Sequence, residues 1–117
     1  LKMCSRFTRL LALAYTSFIL LASAAFRPAD KNELQAAVNA WVDNAALAES
    51  EYGHISVWDT SMVTDMSMLF RGCRPFNAPI GSWTTSRVTN MSCMFAGAGA
   101  FNQEIGRWNT ARVTDMH

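Results

Sequence analysis

From residue 55 onward, apolar and polar positions recur at a fixed interval of 25 residues with no gap between copies. Ile55, Ile80 and Ile105 stand three residues before Trp58, Trp83 and Trp108. Val63, Val88 and Val113 come five residues after the tryptophans, and Met66, Met91 and Met116 eight residues after. Phe70 and Phe95, Phe76 and Phe101, Gly72 and Gly97, and Gly81 and Gly106 complete the apolar and glycine columns. Two threonine columns run alongside, Thr60/Thr85/Thr110 and Thr64/Thr89/Thr114. So many residue types held in phase mark an internal repeat.

Within one copy, Val63, Met66, Leu69 and Phe70 fall at i, i+3, i+6 and i+7, a spacing that predicts a short helical turn over residues 61–70 with Thr60 or Ser61 as its cap. Phe76 to Trp83, with Asn77, Pro79 and Gly81, reads as an extended stretch, although its apolar residues do not alternate. A unit this small cannot cover its own apolar side, so neighbours must stack and turn each column into a continuous ladder. The expected fold is therefore an α/β repeat solenoid whose coils each hold one short strand and one short helical turn. Its inward ladder is Ile55, Ile80, Ile105, Trp58, Trp83, Trp108, Val63, Val88, Val113, Met66, Met91, Met116, Phe70 and Phe95.

The segment before the repeats has a different rhythm. Leu34, Val38, Trp41, Val42 and Ala45 form one stripe at the helical period. Asp30 with Glu33 offers a capping box, and Gly53 a stop. The pattern predicts a helix that covers the first coil as a cap. A membrane-surface helix is disfavoured, because its polar face carries Asp30, Glu33, Asp43 and Glu49 rather than cations.

At the N-terminus, Lys2, Arg6 and Arg9 precede an apolar run from Leu10 to Ala22, and Ala22-Ser23-Ala24 supplies small residues. That is the layout of a secretory signal peptide, and the small residues favour cleavage over an uncleaved anchor. The organisation reads as a leader over 1–25, a capping-helix region over 26–53 and repeats over 54–117. Leu1 stands where an initiator methionine is expected, and the third copy reaches only its Val113 and Met116 columns by His117. Further copies are therefore expected, with an apolar open edge at the last one.

Loss of the leader changes the charge. The formal net charge of +1 becomes about −2, because seven Lys and Arg then face nine Asp and Glu. That balance argues against nucleic acid as a partner. Cys4 lies in the leader, which leaves Cys73 and Cys93; a disulfide between them is one option and two buried thiols the other.

Candidate chemistry is sparse. His54 and His117 have no metal-pair spacing with each other or with the cysteines, so neither catalysis, a metal nor a cofactor is expected. Asp65 and Asp115 share a column with Asn90, and Asp59 shares one with Thr84 and Asn109. Short polar residues in those columns suit local bonds to backbone better than calcium, which gathers several oxygen ligands. Asn90-Met91-Ser92 is an N-glycosylation acceptor sequence.

The stretch F-N-A-P-I-G-S-W-T-T-S-R-V-T-N-M-S-C-M-F from Phe76 to Phe95, begun again at Phe101, resembles the repeat of the BspA-like leucine-rich-repeat surface protein family. The likeness covers roughly residues 33 to 117, with Leu69 and Ala111 as small departures and no F-N pair before the first tryptophan of the repeats. It implies a leucine-rich-repeat-like solenoid, secreted or displayed at a surface, that binds an extracellular protein or glycan without catalytic residues. A structural or environmental-protection role, including contact with ice through the threonine rows, is the alternative. Ser23-Ala24-Ala25-Phe26 is also similar to the junction of bipartite plastid leaders, but Asp30, Glu33 and Asp43 are too acidic for the transit segment that should come next.

Overall fold

The computed structural model describes residues 25–116, so the leader expected over 1–25 lies, Ala25 apart, outside the described residues. The helical segment is present, but as two helices. Helix α1 spans Lys31–Asp43 and helix α2 spans Ala45–Tyr52. The Asp30 carboxylate accepts the Glu33 amide at 3.0 Å, while the Glu33 carboxylate accepts the Ala29 amide at 2.8 Å. These reciprocal bonds satisfy donors that a helix start leaves unpaired. Asn44, extended at φ −157°, interrupts the run; its side chain accepts the Leu47 amide and starts α2. Gly53, in the left-handed region at φ 86°, ends it.

Beyond Gly53 the chain is built from turns. Trp58, Trp83 and Trp108 each donate their amide to the isoleucine carbonyl three residues earlier, and Val63, Val88 and Val113 do the same to the threonine column. The bonds Leu69 to Met66, Arg71 to Met68, Cys73 to Phe70 and Phe76 to Cys73 continue the series. The repeated spacing of three that suggested a helical turn is thus the spacing of consecutive single turns, each closed i→i+3.

Alternate amides do something else. The N–H groups of Met66, Met68, Phe70 and Gly72 donate to the carbonyls of Asn90, Ser92, Met94 and Ala96 at 2.7–2.9 Å. Thr89 and Thr114 donate to the carbonyls of Thr64 and Thr89, and Met91 donates to that of Asp115, so the same register carries into the third copy. Along 66–73, then, even-numbered amides bind the neighbouring unit and Leu69, Arg71 and Cys73 close local turns. Left-handed residues make this possible: Met68 and Cys93 share one column at φ 57° and 53°, and Gly72 and Gly97 another at 74° and 77°. Such residues reverse the chain where a strand would run straight.

The α/β solenoid of strand plus helical turn is therefore not the fold. Among the described residues there are two α-helices, one three-residue 3-10 turn over Ile55–Val57, and no strand or sheet. Only isolated parallel bridges, Asp65 to Asn90 and Asn90 to Asp115, remain of the expected pairing. The physical reason differs on the two sides of each unit. On the 66–72 side, left-handed residues and local turns consume every second amide, so no continuous ladder forms. On the 76–83 side, side chains join the units: Asn77 Oδ1 accepts the Asn102 amide at 2.8 Å, and the Gln103 amide nitrogen donates to the Asn77 carbonyl at 3.1 Å. The indole N–H of Trp83 donates to the Ile55 carbonyl at 2.8 Å, and that of Trp108 to the Ile80 carbonyl at 3.2 Å. Leucine-rich-repeat architecture is corrected with it; the body is compact, with a radius of gyration of 14.0 Å.

The core lies between these two sides. Leu34, Ala37 and Val38 of α1 join Ile55, Trp58, Val63, Met66, Leu69, Phe70, Ile80, Trp83 and Val88 in one buried cluster. Trp58 stacks on Trp83 with ring centres 6.2 Å apart, Phe70 on Phe95 at 5.5 Å and Phe76 on Phe101 at 5.8 Å.

Helix α1 also serves the backbone beneath it. The carbonyls of Ser67 and Leu69 occupy the positions at which Ser92 and Met94, one unit on, accept amides from their neighbour. Here no preceding unit exists, and Lys31 Nζ donates to the Ser67 carbonyl while Gln35 Nε2 donates to that of Leu69 at 3.0 Å. Lys31 and Gln35 are four residues apart and so share the helix face that also buries Leu34 and Val38. Replacing both with methionine and leucine should cost about 1–3 kcal/mol per orphaned carbonyl, read as a lower urea midpoint; a midpoint unchanged from the parent would show that water serves these carbonyls as well.

Two glycines in one column give a second expectation. A Cβ at Gly81 would sit 2.2 Å from the Glu104 carbonyl oxygen, whereas at Gly106 it would meet nothing within 4 Å. Gly81→Ala should destabilise by about 1–3 kcal/mol through overpacking, while Gly106→Ala should leave the melting temperature near the parent's.

Candidate functional site

The repeated residues are the first candidates, and the structure assigns them to packing. Ile55, Ile80, Trp58, Trp83, Val63, Val88, Met66, Met91 and Phe70 are buried. Phe95, Trp108 and Val113 are partly buried against the same core, Ile105 is half-buried, and Met116 is 55% exposed. Burial thus falls along the columns toward the third copy. There a cavity of about 350 Å³ opens, lined by Met91, Met94, Phe95, Ile105, Trp108 and Met116 together with Cys93 and Thr110. One unit earlier, the same columns are Met66, Leu69, Phe70, Ile80, Trp83 and Met91, all covered.

Polar columns are committed to backbone as well. Thr60 and Thr85 are fully buried, and their hydroxyls donate to the carbonyls of Thr84 and Asn109 at 2.8 and 3.1 Å. Asp59, Asp65, Asn90 and Asn109 each accept, through Oδ1, the amide two residues on, at 2.8–3.0 Å. That is the Asx turn the short polar columns predicted. The exposed Thr89 and Thr114 hydroxyls lean on the carbonyls of Thr64 and Thr89 at 3.3 and 3.4 Å. No buried side-chain nitrogen or oxygen among the described residues lacks a partner.

The remaining candidates come apart. Asn90 is half-buried, and its Oδ1 also accepts the Ser92 hydroxyl at 2.8 Å. Cys93 carries a free thiol, so the Cys73–Cys93 disulfide does not form. Cys73 is fully buried and disulfide-bonded, which leaves Cys93 half-buried at the cavity wall. The two cysteines fall in different columns, Cys93 in that of Met68. His54 Nδ1 accepts the Ser56 amide at 3.2 Å and its ring lies edge-on to Trp41. Among the described residues no cluster of three or more His, Cys, Asp or Glu is placed to hold a metal. No helix among them is long and apolar enough to cross a membrane.

Charge is what the columns alone do not reveal. From residue 26 to 65, seven acids face Arg27 and Lys31; from 66 to 117, Arg71, Arg74, Arg87, Arg107 and Arg112 face only Glu104 and Asp115. All five of those arginines are exposed. Arg87 and Arg112 are themselves 25 residues apart, a recurrence that could have been read from the sequence. The Lys31–Gln35 pair had a fainter signal, two polar residues on the apolar face of a capping helix.

Structure and surface together define a class: stacked, turn-built repeat units closed at one side by a helical cap, with buried columns for packing and outer residues free of it. Residues 25–117 match the family described as Mycoplasma protein of unknown function, DUF285, and the chain belongs to that family. No curated protein and no solved structure matches it.

The Asx carboxylates make the fold acid-sensitive. The Ser61 hydroxyl and amide hold Asp59 below the usual aspartate value of 3.8, outweighing desolvation, and Arg27 at 3.5 Å adds to this. For Asp65, burial pushes upward, but the Ser67 amide and hydroxyl with Lys31 bring the net shift below the same value. A depressed folded-state value means stability that is present above about 3.8 and lost as pH falls through the folded values. Asp59→Asn with Asp65→Asn keeps the acceptor, as Asn109 and Asn90 do naturally in those columns. The double variant should lose less stability than the parent when urea melts are compared at about pH 6 and about pH 3.

Proposed function

We propose that the chain is an exported or surface-displayed repeat module that binds an extracellular protein or glycan through its outer residues and carries out no catalysis. One observation carries the reading: the repeated polar side chains are consumed by the fold, whereas the exposed arginines Arg87, Arg107 and Arg112 make no ion pair among the described residues, where Arg27–Asp59 is the salt bridge present. A rigid frame with uncommitted donors on its surface is suited to contact with another molecule. The basic, apolar and small-residue order of residues 2–24 supports export. The likeness of the repeat to that of BspA-like surface proteins points the same way.

The proposal is tested by expressing the full chain with a C-terminal tag in a secretory host. It should appear outside the cell shortened by about the length of the leader, and an array of matrix proteins and polysaccharides should retain it. A chain that keeps its leader and stays in the cytosol of the producing cell would overturn the proposal.

A further inference from the structure

The exposed arginines are arranged, not scattered. Arg87 and Arg112 hold equivalent positions in successive units, two residues before Thr89 and Thr114, whose backbones are joined by a 2.9 Å bond from the Thr114 amide to the Thr89 carbonyl. Their backbones therefore run in neighbouring units beside this hydrogen-bonded pair. Like charges in such neighbouring positions repel unless something neutralises them. No carboxylate does: neither arginine has an ion pair or a side-chain hydrogen bond among the described residues. Arg107, also exposed, lies five residues before Arg112. Meanwhile the acids gather in the capping half, so the molecule is electrically two-ended.

We propose that the Arg87–Arg112 column, with Arg107 as a further exposed arginine of the same half, is a binding surface for an anionic polysaccharide bearing sulfate or carboxylate groups. This rests on the reading of the chain as a surface-binding module and names its ligand class. The guanidinium group presents a planar fork of donors that matches such oxyanions bidentately. Two forks fixed one unit apart engage successive charged groups of an extended chain and relieve their own repulsion as they do so. A polysaccharide fits better than a nucleic acid. Among the described residues the exposed large apolar ones are Leu47, Val57, Met62, Met68 and Met116, with no aromatic among them for bases to stack on, and neither described helix lies in the arginine-bearing half.

The test uses the full chain and three probes of matched length: dextran sulfate, uncharged dextran and single-stranded DNA. Dextran sulfate should bind, with an affinity that falls as sodium chloride is raised, and uncharged dextran should not. Arg87→Gln with Arg112→Gln should weaken dextran sulfate binding by about tenfold or more. Arg27→Gln, in the acidic half, should leave it unchanged, and circular dichroism should give the double variant the parent's melt, because Arg87 and Arg112 are exposed. If the double variant loses its fold, the single change Arg107→Gln provides the same reading with a smaller loss. Equal binding of the two dextrans, an undiminished double variant, or tighter binding of DNA than of dextran sulfate would each overturn the proposal. An exported chain retained by an uncharged glycan or a protein, with no preference for dextran sulfate, would sink this inference while leaving the proposed function standing.

Discussion

The structure depends on where the alternate amides of residues 66–72 go. In a helix every amide closes on its own segment, and in a strand on a two-sided ladder. Here Leu69, Arg71 and Cys73 close single turns, and Met66, Met68, Phe70 and Gly72 must reach the carbonyls of the next unit. Half of this backbone is consequently unsatisfied in a unit taken alone. Buried amides and carbonyls without partners are costly, so one unit has no stable existence by itself and the register between units is set by main chain. The left-handed columns of Met68/Cys93 and Gly72/Gly97 aim those amides outward, and they recur because the bonds recur.

The rest of the molecule is a consequence of that register. Once units are fixed at this separation, Trp58 lies over Trp83 and Phe70 over Phe95, and the indole N–H of each later tryptophan finds the isoleucine carbonyl of the unit before. Gly81 loses any room for a side chain because the Glu104 carbonyl arrives there. At the N-terminal side the same rule demands donors for the carbonyls of Ser67 and Leu69, which Lys31 and Gln35 provide. The helical cap is thus polar in function as well as apolar, since it replaces a neighbour's hydrogen bonds while burying Leu34 and Val38.

The outer surface is made of what the register leaves over. Threonine, aspartate and asparagine columns are committed to carbonyls and amides, and the apolar columns to the core. Exposed Arg87, Arg107 and Arg112 are committed to neither, and the stack places Arg87 and Arg112 at equivalent positions of successive units.

The repeat, its phase, the helix over the region before it, the Asp30 and Gly53 caps and the Asx role of Asp59 and Asp65 are all legible in the chain, because each depends on local chemistry or on a spacing that can be counted. The strand and helical turn are where the pattern misleads, because a spacing of three apolar residues fits one face of a helix and a series of closed turns equally well. Which of these forms depends on the sign of φ at Met68 and Cys93, and neither residue type announces a left-handed backbone. The cysteine pairing is likewise beyond reach, since it turns on the distance between columns. So the sequence by itself determined which residues repeat and which columns supply the core, whereas only the tertiary structure decided how far each copy is covered and how the backbone between them is bonded. The reason is that side-chain polarity is a property of the residue, but the partner of a backbone amide is a property of whatever the fold brings beside it.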